Sequence, residues 1–206
     1  MAFAIVDYGM GNLTSVSNAV KSLGQHCDII RDADQLVEYD GVILPGVGAF
    51  GQGIKNLRSN GWVSALNEFV IERGRLFLGL CLGMQLLATS GTEHGVHEGL
   101  NWIPGVVEKL STKNATVRLP HIGWNDVSLQ KDSKLYRELG ESQTFYFVHS
   151  YAFYPEDKGV ITGFAAHGQE FVASVEQGNI FATQFHPEKS QKAGLAVLSN
   201  FLEKAA

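Results

Sequence analysis

Cysteine is scarce: only Cys27 and Cys81 occur in 206 residues, and they lie far apart. A disulfide framework is therefore not expected, whereas a reducing compartment, the cytoplasm, is. Basic charge is short as well. Sixteen Lys and Arg stand against 21 Asp and Glu, a net charge of −5, which argues against nucleic acid or an anionic membrane as the main partner. No apolar stretch is long enough for a bilayer; the longest, residues 76–88, falls short of the about 20 residues a span requires. No basic segment followed by an apolar one opens the chain, so no secretory signal is expected. Repeats, low-complexity tracts and linkers are also missing. What remains is a globular composition, 45% hydrophobic and 18% charged. The length fits a single domain, 1–206, able to bury about 70% of its unfolded surface without a staple.

The apolar segments that are present are short and alternate with helical patterns. Residues 3–6 read as a buried strand, and 27–30 and 42–44 as the second and third strands, with Cys27 in the core. Leu13, Val16, Val20 and Leu23 recur at helical spacing until Gly24 stops them. This alternation predicts an α/β fold, a mostly parallel central sheet flanked by helices. Helices are expected over 49–73 and 190–204, the latter with Ala193, Val197, Leu198, Phe201 and Leu202 on one stripe. Residues 106–107, 116–118, 124–127, 144–151, 160–165 and 171–175 read as short strands, an antiparallel extension beside the parallel core. Gly9 and Gly11 lack the third glycine of a dinucleotide loop. Glu93, His94, His97 and Glu98 lie in a glycine-punctuated stretch without the H-x-x-x-H spacing of a helical metal site, so a polar loop is expected there and no metal. Trp124 reads equally as core or as an exposed partner anchor.

The chemistry centres on Gly79-Leu80-Cys81-Leu82-Gly83. An apolar strand, residues 76–80, precedes it, and residues 82–89 can continue as a helix. This is a nucleophile elbow with cysteine in place of serine. The sharp strand-to-helix turn exposes the side chain, and the flanking glycines allow the close backbone approach the turn demands. A helix N-terminus under the sulfur favours thiolate. A small buried core cysteine is the competing reading of this segment alone. Gln184-Phe185-His186-Pro187-Glu188 decides between them. A thiol nucleophile needs a base, and the base an orienting acceptor; His186 and Glu188 supply both at the end of the apolar run 180–183. The order Cys, His, acid differs from the nucleophile, acid, His order of α/β-hydrolases. The position of Cys81 also does not fit a papain-like enzyme. Attack on an amide carbonyl makes an oxyanion that needs two backbone N–H groups, one from Leu82 and one from a neighbouring loop.

These motifs, with Asp7-Tyr8-Gly9-Met10-Gly11-Asn12, Pro45-Gly46-Val47-Gly48, Pro120-His121-Ile122-Gly123-Trp124-Asn125, residues 146–151 and Lys189-Ser190, resemble those of the class I (triad) glutamine amidotransferases. Within them the chain is most similar to the glutaminase subunits of imidazole glycerol phosphate synthases. The resemblance runs from the first strand to the last helix and departs only slightly, with Leu80 where isoleucine is expected. It implies glutamine hydrolysis by Cys81, His186 and Glu188 without a metal or organic cofactor. It implies that the peptide around Gly46 and Val47 completes the oxyanion site with Leu82, and that Gly48, Gln85, Glu93, Ser150 and Tyr151 hold L-glutamine. It further implies a (β/α)8-barrel cyclase partner that receives the ammonia in histidine biosynthesis, with Asn12, Trp124, Tyr146 and Lys189 at the interface. Two alternatives stand beside it: a triad amidotransferase serving another synthase, and a non-catalytic regulatory module on this fold. The 120–125 stretch and Lys189-Ser190 favour the histidine pathway, and the intact triad speaks against the module.

Overall fold

The computed structural model describes residues 2–111, 117–130 and 132–203. The chain opens with β1 (Phe3–Val6), α1 (Leu13–Ser22), β2 (Cys27–Ile30) and β3 (Gly41–Gly46). α2 (Phe50–Ser59) and α3 (Trp62–Leu66), the latter running on into one π-helical turn over Asn67–Glu72, lead to β4 (Leu76–Cys81) and α4 (Leu82–Gln85). The short strands β5 (Ser90–Gly91), β6 (His97–Glu98) and β7 (Gly105–Lys109) follow. Then come β8 (His121–Leu129), β9 (Ser142–His149), β10 (Tyr151–Pro155), β11 (Ile161–Ala166), β12 (Glu170–Gln177), β13 (Ile180–Thr183) and α5 (Gln191–Glu203).

Nine strands form one sheet in the order β2-β1-β3-β4-β13-β12-β11-β8-β9. The first five run parallel and the rest antiparallel, so the antiparallel extension lies beside the parallel core. Burial explains both halves. β1, β3 and β13 are buried at every position, because each side chain meets a packed layer on one face or the other. Ala4, Val6, Leu44 and Phe77 pack with α2 and α3. Phe3, Ile5, Ile43 and Leu78 pack with α1 and α5 through Val16, Val20 and Phe201. β8 and β9, by contrast, alternate buried and more exposed positions, the pattern of strands with one face open.

Several expectations are corrected. The helix after Cys81 stops at Gln85 rather than reaching Thr89. Leu87 and Ala88 close with tighter bonds to Met84 and Gln85, and the carbonyls of Leu86, Leu87 and Ala88 accept from Leu100, Trp102 and Asn101 instead of from a further turn. Residues 90–99 are not simply a loop, since β5 and β6 pair there. Residues 106–107 do form a strand, but in a separate four-stranded sheet, β10-β7-β5-β6. Residues 144–151 are not one strand: β9 ends in the large sheet and β10 begins in the small one, with Ser150 as the step between them. Of the strand expected at 116–118, Thr116 lies outside the described residues, and Val117 and Arg118 belong to no strand.

Candidate active site

Cys81 is the last residue of β4 and adopts φ 54°, ψ −103°, a left-handed conformation held by the packing around it. A Cβ on Gly79 would lie 2.7 Å from the Gly83 carbonyl, and one on Gly83 only 1.9 Å from that of Leu44. Only glycine lets α4 sit this close to β3 and β4. The strained turn therefore follows from the two glycines.

β13 lies beside β4, with Thr183 paired to Leu80, so the residues that follow it arrive next to Cys81. The His186 N–H donates to the Tyr146 carbonyl at 2.9 Å. Ser190 Oγ donates to the His186 carbonyl at 2.6 Å and accepts the Tyr146 N–H at 3.0 Å. Nδ1 of His186 stands 2.8 Å from Glu188 Oε1, and both side chains are almost wholly buried. A carboxylate only accepts, so Nδ1 carries the hydrogen and Nε2 is left as the basic nitrogen. Burial pushes the imidazole pKa down. The negative charge of Cys81 and the bond and charge of Glu188 outweigh it and raise the value to about 10. Nε2 has the Cys81 sulfur as its neighbour and no other partner among the described residues. That pull belongs to the thiolate form of Cys81; as a thiol, its S–H faces the Val148 carbonyl at 3.9 Å. The arrangement is that of a thiol and an imidazole poised to exchange one proton.

A pocket of about 380 Å³ opens over the sulfur, within the range of small-molecule sites. Eight residues singled out from the sequence line it: Val47, Gly48, Cys81, Leu82, Gln85, Glu93, Ser150 and Tyr151. Gly46 does not. It is packed beneath, where a Cβ would meet the Tyr8 hydroxyl and the Leu82 side chain. His186 and Glu188 lie behind the wall rather than on it. Glu93 Oε2 accepts the Phe50 N–H at 2.9 Å, which joins the loop to the start of α2. Glu98 instead pairs with Arg58. Among the described residues, no three His, Cys, Asp or Glu side chains converge as a metal site.

Outside the pocket, Trp124 is 48% exposed, which decides against a core role. It pairs across strands with Tyr146, with ring centroids 5.9 Å apart, and Lys189 Nζ stands 5.8 Å from the Tyr146 ring centroid. Asn12 caps α1 by accepting the Ser15 N–H. Sequence reasoning missed Gln184, Tyr8 and the histidines beside the pocket. Gln184 is fully buried and touches the Cys81 sulfur. The available signal was an amide side chain placed directly after an apolar run. The Tyr8 hydroxyl is buried without a partner, and burial together with the Cys81 charge keeps it protonated.

An α/β sheet whose parallel half is covered on both faces, with a cysteine elbow facing a buried His–Glu pair, defines a hydrolytic class with a thiol nucleophile. The class-I glutamine amidotransferase family model matches residues 4–205, and the chain belongs to that family. Within it, the chain is 46% identical over 200 residues to the imidazole glycerol phosphate synthase subunit HisH of Moorella thermoacetica, covering 97% of this chain and 93% of that one. It is 46% identical over 207 residues to the HisH subunit of Aquifex aeolicus, covering 100% and 98%. The fold is shared with PurLQS from Thermotoga maritima at a TM-score of 0.76 and 20% identity, over 100% of this chain and 99% of that one.

Proposed function

We propose that the chain is the glutaminase subunit of an imidazole glycerol phosphate synthase. His186 takes the thiol proton of Cys81, and Glu188 keeps the imidazole in the tautomer that allows it. The thiolate attacks the side-chain carboxamide of L-glutamine, ammonia leaves with a proton from His186, and water hydrolyses the γ-glutamyl thioester to glutamate. Leu82 and the Gly46–Val47 peptide supply the oxyanion donors. Gly48, Gln85, Glu93, Ser150 and Tyr151 hold the amino acid, the Glu93 carboxylate meeting its ammonium. The ammonia passes to a (β/α)8-barrel cyclase subunit docked against Asn12, Trp124, Tyr146 and Lys189, in the cytoplasm. The observation that carries this reading is the buried His186–Glu188 pair standing beside Cys81, behind the pocket that Cys81 lines, in a chain that matches HisH subunits along its whole length.

The test separates making ammonia from using it. Cys81→Ala removes one sulfur at the elbow, so folding and docking should survive. Glutamine-dependent formation of imidazole glycerol phosphate by the reconstituted complex should fall by up to about 10⁶-fold. Ammonium at alkaline pH should restore it, because the cyclase accepts free NH₃. Retained glutamine-dependent synthesis removes Cys81 as nucleophile. Loss of the ammonium-dependent rate in an assembled complex removes the division of labour.

A further inference from the structure

The Cys81 sulfur has two hydrogen-bond contacts, and they serve different protonation states. The Val148 carbonyl at 3.9 Å accepts but cannot donate, so only a thiol uses it. Gln184 Nε2 at 3.6 Å donates, and a donor favours the thiolate. The orientation of that amide follows from the groups behind it. The Tyr151 carbonyl only accepts, so the end of Gln85 that lies 2.9 Å from it is Nε2. The same nitrogen lies 3.0 Å from Gln184 and must meet an oxygen, Oε1. The opposite end of Gln184, its NH2, therefore faces the sulfur. The backbone is held too: the Gln184 N–H donates to the Ala173 carbonyl at 2.8 Å, and the side chain is fully buried, so water does not compete for the amide.

We propose that Gln184 is a further working residue of this site: its buried amide donates to the Cys81 sulfur, stabilises the thiolate, and ties the nucleophile through Gln85 to the Tyr151 wall of the pocket. When the thiol ionises, its proton goes to Nε2 of His186 and the bond to Val148 is lost. The Gln184 N–H then keeps the sulfur in place. Because Gln85 Nε2 binds Tyr151 and Gln184 together, filling of the pocket at Tyr151 is felt at the sulfur through two hydrogen bonds. The other ionisable groups around the sulfur are His186 backed by Glu188, Tyr8 from the segment after β1, and Glu93, His149 and Tyr151 of the pocket walls. All of them remain in the variants below. The inference rests on the proposed amide hydrolysis, yet its test does not depend on that alone.

Gln184→Met keeps the volume and removes the donor. Gln184→Glu keeps the acceptor for Gln85 and sets a carboxylate against the sulfur. Two quantities are read: the pH profile of Cys81 alkylation by iodoacetamide, followed on the Cys81 peptide, and glutamine turnover in complex with the cyclase subunit. A charge-assisted hydrogen bond is worth roughly a factor of ten or more. The Gln184→Met profile should therefore move up by about one pH unit or more, and the Gln184→Glu profile further. In both, kcat should fall about tenfold or more while KM changes far less, the split that distinguishes a donor to the nucleophile from a packing residue. An unmoved alkylation profile in folded Gln184→Met overturns the proposal. Should Gln184→Met fail to fold, the Gln184→Glu profile decides in the same way. A wild-type complex that does not consume glutamine would defeat the proposed function, while the alkylation profile would still settle the role of Gln184.

Discussion

At the scale of the residue, the site depends on which groups can donate and which can only accept. Glu188 is there to hold one proton on Nδ1 of His186. Replacing Glu188 with Gln keeps the shape but allows the amide to donate, which favours the wrong tautomer. Turnover in the complex should drop by on the order of 10⁴-fold with an unchanged circular dichroism spectrum; near wild-type turnover would mean that His186 has another orienter. A second set of histidines behaves oppositely. Burial, and then the nearby charge of His167, hold His121 down at about 4, and burial holds His149 at about 3. They form a directed chain. His149 Nδ1 donates to the Tyr151 carbonyl at 2.9 Å, so its Nε2 accepts from His121 Nδ1 at 3.0 Å. The unfolded chain takes up protons at these positions below about pH 6.5, and the folded chain does not until pH 3–4. Stability must therefore decline as pH falls from about 6.5 toward 4. His121→Asn, which retains a donor near the place of Nδ1, should flatten that decline in a series of melting curves; an identical pH slope would show that the histidine chain does not govern it. The triad was legible in the sequence because nucleophile, base and acid carry their chemistry in their side-chain types. Gln184 was not, because an amide becomes functional only when burial and two neighbours fix which end faces the sulfur.

At the scale of the element, the cysteine is held up by the fit of one helical turn between two strands. Gly83→Ala would drive a methyl into the Leu44 carbonyl oxygen, 1.9 Å away, a backbone atom that cannot yield cheaply. A loss of about 1–3 kcal/mol or more is expected in denaturant titration, accompanied by loss of glutaminase activity. A variant as stable and active as the wild type would contradict the tight elbow. The strands around it were readable for a simple reason: β1, β3, β4 and β13 are covered on both faces, so they appear as unbroken apolar runs. The small sheet was not readable. β5 and β6 have two residues each, too few for any period, and they exist only because β7 and β10 arrive from elsewhere in the chain. The short span of α4 was hidden for the same reason, since the groups that end it, Leu100 to Trp102, come from a later loop.

At the scale of the whole molecule, the exposed aromatic patch is one backbone hydrogen bond from the buried base. Tyr146 meets Trp124 edge to face on the outer side and accepts the His186 N–H through its carbonyl. A partner seated on Trp124 thus lies one residue from the base. Trp124→Ala should leave the melting temperature of the isolated chain nearly unchanged, because the ring is half exposed. It should weaken association with the cyclase subunit by roughly 30-fold or more, the level of a hot-spot residue; calorimetric titration checks it, and an unchanged affinity would place the interface elsewhere. The order of strands carries a different consequence, one of timing. β13 is the last strand in the described chain, yet it sits between β4 and β12 in the sheet, and Gln184 follows Cys81 by 103 residues. During synthesis the strand bearing the thiol leaves the ribosome long before the strand that leads to its base. Until β13 slides into that slot, two sheet edges stay open to stray pairing and the thiol has no helper. Half-made chains are therefore catalytically silent, and they are the form of this protein with most need of a chaperone.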